Sequence, residues 1–306
     1  MLLAVVLVAA SPAARLAEQL RQTDPDHGGP AYAEIARLKR SPDEAAKLFP
    51  ELLDYLGEPR VAPDVVDLFL ALCNAQAFTE EQKAAATPKL AAAFDALAKE
   101  HPPGDGPRAL ELEYLVDVLG HLPIAESESA LRRALALPEP GLKYFAASGL
   151  IRSGREVPDA ALASIAAEPA WRVPLYETLA AAGQRARFPA KFGTQEALAA
   201  SEMCRWLAYP TELGRVPDEI ELLKVVTRPG DHGPVDYYVF RFRTRPPHWA
   251  AKDGWLRGVA GGHVRSEEPT TRSLGGTFSA FEKWRTKSPE AIVDDGKKIL
   301  DEWKKN

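Results

Sequence analysis

Few residues in this chain have the type and spacing to do chemistry. Six histidines stand at His27, His101, His121, His232, His248 and His263, with no two of them three or four residues apart. Zinc-type sites draw much of their ligand set from such local pairs, so this spacing gives no metal centre. The two cysteines, Cys73 and Cys204, are too few for a disulfide framework and read as small buried hydrophobes. One histidine adjoins a carboxylate, in Asp231-His232, with Asp236 close behind and Arg241 and Arg243 further on. A carboxylate beside an imidazole orients the ring and favours its charged form, as a general base requires. The same residues equally make a solvated hairpin turn, in which Asp and Gly supply the geometry.

Glu221 and Arg243 form a second polar grouping. Arg binds carboxylates and other anions bidentately, but a plain cross-strand ion pair uses the same two residues. Trp206, Tyr209, Trp249 and Trp255 fall in the same stretch, and exposed Trp and Tyr with Arg nearby are the composition of a binding hot spot. Trp206 and Trp255 also suit the core of a small domain. Trp249, after Pro246-Pro247-His248, is the one expected in solvent. The candidate binding residues are Trp206, Tyr209, Glu221, His232, Arg241, Arg243 and Trp249. The sequence contains no glycine-rich phosphate loop ending in Lys-Ser/Thr, no dinucleotide fingerprint, no His-Glu-x-x-His and no Gly-x-Ser-x-Gly elbow. No catalytic residue and no cofactor is assigned.

These residues need elements to hold them. Glu219–Arg228, Asp236–Arg245 and Gly254–Gly261 read as strands, the first two joined by the turn-rich loop 229–235. With Arg228 opposite Asp236, Glu221 meets Arg243 and Glu219 meets Arg245, all on one face. The other face carries Tyr238, Phe240 and Phe242, so one side of the sheet is expected to pack on helix Thr194–Leu207 or on the last helix. That last helix is expected over Pro289–Lys305, capped by Ser288, with Ile292, Ile299 and Trp303 as its apolar stripe and Gly296 interrupting it. The segment Thr277–Trp284 is expected to dock on the sheet.

Upstream the pattern is helical almost throughout. Pro42–Leu56 has Ser41 as N-cap and Glu44 three residues on; Val65–Cys73, Glu80–Lys99 with Thr79 as cap, and Arg108–Leu119 follow. Three segments then share one phrase: Pro107–Gly120, Pro140–Gly154 and Pro169–Gly183. Each ends in a glycine suited to a left-handed position after a helix and is followed shortly by Pro123, Pro158 or Pro189. The glycines are 34 and 29 residues apart, with shorter helices near Ser127–Ala136 and Asp159–Ala166 between them. This period is that of stacked helical hairpins, which bury their apolar faces only against their neighbours.

Within that phrase, Leu142-Lys143, Ala146-Ala147, Leu150 and Gly154 resemble the first helix of a HEAT-like repeat of the phycobilisome-lyase type, with Gly149 where alanine is usual. Trp171-Arg172, Leu175, Leu179 and Gly183 repeat it less faithfully. The segment Met203–Glu221 is similar to one that follows HEAT-like repeats in a bacterial family without an assigned activity. The resemblance implies a fold, mainly α, with a HEAT-like α-solenoid followed by a small α+β domain carrying a short antiparallel sheet. The domain reading is a candidate export signal over 1–14, a helical repeat domain over 15–193 and an α+β module over 194–306.

Composition narrows the function classes. The 306 residues are 46% hydrophobic and 26% charged with a net charge of −5, ordinary for a globular chain. With no basic run, nucleic acid is not an expected partner. The uncharged start, apolar from Leu2 to Ala10, is too short to span a bilayer. It matches the apolar region of an export signal, which implies an exported or periplasmic protein. A buried first helix in a cytoplasmic protein is the other reading. The resulting expectation is a non-catalytic scaffold that binds a protein or peptide partner. The alternatives are an enzyme with its site in the C-terminal module or at its junction with the repeats, and an immunity-type protein whose negative charge suits a basic toxin.

Overall fold

A computed structural model describes residues 10–23, 29–100, 107–251, 254–271, 273–274 and 276–303. Most of the candidate export signal, residues 1–9, therefore lies outside the described residues, as do His27 and His101. The chain forms two compact units, Met1–Val157 and Pro158–Asn306.

The first unit contains α1 (Pro12–Gln22), α2 (Pro30–Arg40), α3 (Pro42–Leu52), α4 (Ala62–Asn74), α5 (Glu80–Glu100), α6 (Pro107–Gly120), α7 (Ile124–Leu135) and α8 (Pro140–Arg152). Their boundaries follow local chemistry. Ser11 Oγ accepts from the Ala14 amide at the start of α1. Thr79 and Gln82 cap each other's backbone amides before α5, a reciprocal capping box. Ser41 precedes α3 as expected but makes no side-chain cap bond; its carbonyl takes the amides of Glu44 and Ala45 instead. After α8, the Arg155 amide bonds to the Leu150 carbonyl and the Gly154 amide to Ile151, with Gly154 at φ 69°, closing the helix in a Schellman motif.

The helices alternate between two layers. α2, α4, α6 and α8 pack in sequence as one; α1, α3 and its 3-10 extension Leu53–Tyr55, α5 and α7 make the other. This is the packing that stacked hairpins require, each apolar face covered by the next pair. Phe49, Phe69 and Phe78 form an aromatic knot with ring centroids 4.2 to 5.2 Å apart. Leu142, Ala146 and Leu150 of α8 are fully buried. Gly120 departs from expectation. It is the last residue of α6, lies outside the left-handed region, and touches Gly149 of α8 so closely that a Cβ on Gly149 would stand 2.6 Å from the Gly120 Cα. The unexpected glycine in the repeat phrase is there because two helices cross at that point.

The second unit opens with α9 (Asp159–Ala167) and α10 (Pro169–Ala181), the latter closed at Gly183 by the same Schellman pair of bonds. Arg172 of α10 is buried and donates to the carbonyls of Ala166, Ala167 and Ala197 at 2.9, 3.3 and 3.0 Å, satisfying the exposed end of α9. Next comes α11 (Gln195–Leu207), capped by Thr194 Oγ1. A four-stranded antiparallel sheet follows in the order β1 (Glu219–Gly230), β2 (Gly233–Arg243), β3 (Leu256–Val264) and β4 (Thr277–Ser279), then α12 (Phe281–Trp284) and α13 (Pro289–Trp303).

Both faces of the sheet are covered, where packing on one side was expected. Tyr238, Phe240, Phe242, Leu256 and Ala260 pack on Ala199, Met203 and Leu207 of α11. Val226, Val239 and Val259 pack on Trp284, Ile292 and Val293 of α12 and α13. The segment expected to dock on the sheet supplies its fourth strand instead, Phe278 pairing with Val259. Gly296 faces this second core, and the Trp303 side chain lies outside the described residues.

Candidate functional site

The charged pairs expected on the sheet form, in a different register. The β1–β2 ladder runs through Pro229↔Pro234 to Gly230↔Gly233, leaving a two-residue turn, Asp231-His232, where a longer loop was expected. A bulge at Leu223 then adds a second one-residue shift. The net offset is two residues, so every side chain keeps its face but changes partner. Glu219 lies opposite Arg243 and Glu221 opposite Arg241. Arg241 Nε donates to Glu221 at 2.7 Å, and Glu219 takes both Arg243 and Arg245. The Arg241 and Arg243 guanidinium carbons sit 4.4 and 4.6 Å from the ring centre of half-buried Trp255. This ladder is internally paired.

The other sequence-derived residues disperse. His232 is exposed at the hairpin tip, roughly 27 Å along the strand from Arg241 at the usual rise per residue. Asp236 does not join it. The general-base arrangement around Asp231 and His232 is thus not assembled. Trp206 is half-buried beside Tyr209, ring centres 6.1 Å apart, and donates through Nε1 to Ser279 Oγ at 3.2 Å. Tyr209 is 59% exposed and Trp249 79% exposed, the latter stacked beside His248. The fully buried tryptophan of this unit is Trp284.

Two features that residue spacing did not reveal are better built. The first is a small cavity of about 160 Å³ in the second unit, lined by Gln195, Asp236, Tyr238, His263, Arg265 and Glu267 among others. A second bulge, between Asp236 and Tyr237 on β2 and Gly261 and His263 on β3, sets the His263 side chain. Gly261 and Gly262 adopt φ of 127° and 40° there. His263 is 1% exposed, its Nε2 is 3.3 Å from Oε2 of Glu202 on α11, and neither ring nitrogen has a hydrogen-bond partner. Buried Glu202 Oε1 has none either. Asp236, also buried, accepts from Arg265 at 2.8 and 2.9 Å and from Thr227 at 2.6 Å. The Arg265 guanidinium holds the Asp236 carboxyl below its ordinary range, and burial pushes the Tyr238 phenol up to about 12.

The second feature is an open groove in the first unit, between α3 with its 3-10 extension and α5. One trough, about 450 Å³, has Leu56, Ala92, Ala96 and Leu115 on its walls; an adjoining one, about 350 Å³, has Phe49, Phe78 and Ala85. The two share Leu53 and Lys89, and Lys89 bridges to Asp54 between them. Lys89 is the one cation among the described lining residues, against Asp54, Glu81, Glu100 and Glu111.

Among the described residues, no three His, Cys, Asp or Glu side chains are grouped to hold a metal ion, and no helix is long and apolar enough to cross a membrane. Both cysteines are buried and free, their thiols pushed up to about 12 by burial. The class defined by this fold is a mainly helical protein with a helical array followed by a four-stranded antiparallel sheet. Comparison with protein-family models, curated proteins and solved structures finds no match to the chain.

Proposed function

We propose that this chain is a non-catalytic protein-binding scaffold built on HEAT-like repeats, and that the groove between α3 and α5 takes an apolar helical segment of a partner flanked by basic residues. The observation that carries this reading is the paired apolar trough with its acidic border. An amphipathic helix buries its apolar face in such a groove through anchors one turn apart. The exposed α5 residues Ala85, Lys89, Ala92 and Ala96 recur at that spacing. Acidic side chains around the troughs draw a basic segment in and repel an acidic one. The immunity-type alternative is a special case, in which the basic segment belongs to a toxin. The enzymatic alternative has lost the residues on which it stood.

The full-length chain is titrated with two labelled helical peptides of one apolar pattern, one flanked by Lys and one by Glu. The Lys peptide is expected to bind, more weakly as salt rises, and Ala92→Arg to weaken it by about tenfold or more through steric block and like charge. Binding of neither peptide, or equal binding of both that Ala92→Arg leaves unchanged, sinks the reading.

A further inference from the structure

The cavity beneath α11 asks for a ligand that donates hydrogen bonds. Folded proteins rarely leave buried polar atoms unpaired, and unpaired atoms in one place call for an explanation. Here His263 Nδ1, His263 Nε2 and Glu202 Oε1 are all without partners, and His263 lines the cavity. Glu202 Oε2 stands 3.3 Å from Nε2, so the carboxylate favours the proton on that nitrogen. Nδ1 is then an acceptor, and what fills the cavity must donate to it.

Charge gives the ligand's sign. Arg265, the cation on the lining, is committed to Asp236 through two hydrogen bonds. Glu202 behind the imidazole and Glu267 on the lining add further carboxylates. A bound carboxylate would face Asp236 and both glutamates; an ammonium is attracted by all three. Tyr238 forms an aromatic wall, and a ring face favours a cation. The walls are fixed in advance, because the Gln195 amide holds both the Thr270 carbonyl and the Thr270 amide at 2.8 Å. Size limits the rest: a cavity of roughly 150 Å³ accommodates a benzene-sized molecule, and this one measures about 160 Å³.

We propose that this cavity is a binding site for a small free primary amine of about six heavy atoms, with the ammonium donating to His263 and Glu202 setting the imidazole tautomer. The site lies wholly in the second unit and stands independently of the groove reading.

The test is an NMR titration of the full-length chain with labelled histidine, following the His263 ring signals. The probes are n-butylamine, 1-butanol and propionate, matched in size and differing in charge. Saturable shifts with n-butylamine, and none with the other two at the same concentration, are the expected result. Glu202→Gln, which keeps the shape and removes the charge, is expected to weaken n-butylamine about tenfold or more. Silence with n-butylamine, an equal response to propionate, or a response only to a lysine-bearing peptide overturns the assignment. The wild-type titrations decide the matter even if the variant fails to fold.

Discussion

Gly149 and Gly154 stand five residues apart and act for unrelated reasons. Gly154 supplies the left-handed turn that closes α8, a requirement written locally in the sequence. Gly149 is fixed by a helix 29 residues earlier, through contact with Gly120, and nothing in its own neighbourhood announces that. Helix propensity alone makes Gly149→Ala a gain of up to ~1 kcal/mol. The clash with backbone outweighs it, since overpacking typically costs about 1–3 kcal/mol. Gly149→Ala is therefore expected to lower the stability of the first unit by roughly 1–2 kcal/mol in urea denaturation; a gain would show that α6 and α8 part freely. Asp64 offers a pH test in the same unit. In the first turn of α4, burial, with Asp67 adding to it and Lys39 opposing, pushes its carboxyl up to about 6. A raised carboxyl favours the folded state when protonated, so the ionised group is a cost that is full above pH 6 and fades as pH falls towards its unfolded value near 4. Asp64→Asn should thus stabilise most at pH 7.5, its advantage shrinking as pH drops through 6. A difference between variant and wild type that ignores pH would discard this account.

At the scale of elements, helix positions were legible because caps and closing glycines are local: Thr79, Thr194, Gly154 and Gly183 act within a few residues of themselves. Sheet register was less so. The tight Asp231-His232 turn and the Leu223 bulge each shift it by one residue, and alternation alone cannot count bulges. Because the shifts add to two, the face assignment of Arg241 and Arg243 survived while the partners changed. The His263 site was out of reach for a related reason. Its imidazole lies on β3 and its carboxylate on α11, so no spacing rule joins them. The one local hint, Gly261-Gly262 just before a histidine, marks a bulge and not a ligand. Gly296 in α13 tests how far packing decides a glycine's role. A Cβ there would meet Val259 and Trp284 at 3.7 and 4.0 Å, ordinary contact, unlike the clash at Gly149. Gly296→Ala is expected to stabilise the second unit by up to about 1 kcal/mol, read as a higher urea midpoint with an unchanged slope. A loss would mean that α13 needs a closer approach to the sheet than these distances show.

Over the whole molecule, each proposed site is lined by residues of one compact unit: the groove by residues 46–115 of the first, the cavity by residues 195–269 of the second. A ligand that binds only the native form stabilises what it binds by mass action, and local opening in a protein follows cooperative substructures. Hydrogen exchange then separates the two proposals in one sample. The basic helical peptide should slow exchange along α5 and leave α11 and β3 unchanged. n-Butylamine should slow exchange in α11 and around residues 236–238 and 263–266, and leave α5 unchanged. With ligand at 100 times its Kd the linkage is about 2.7 kcal/mol, close to a hundredfold in the exchange rate of amides that open only when the site opens. Protection by either ligand confined to the other unit would remove that ligand from its proposed place. Equal protection of both units by a single ligand would mean that they exchange as one cooperative body, and the two functions would then have to be read as a single coupled one.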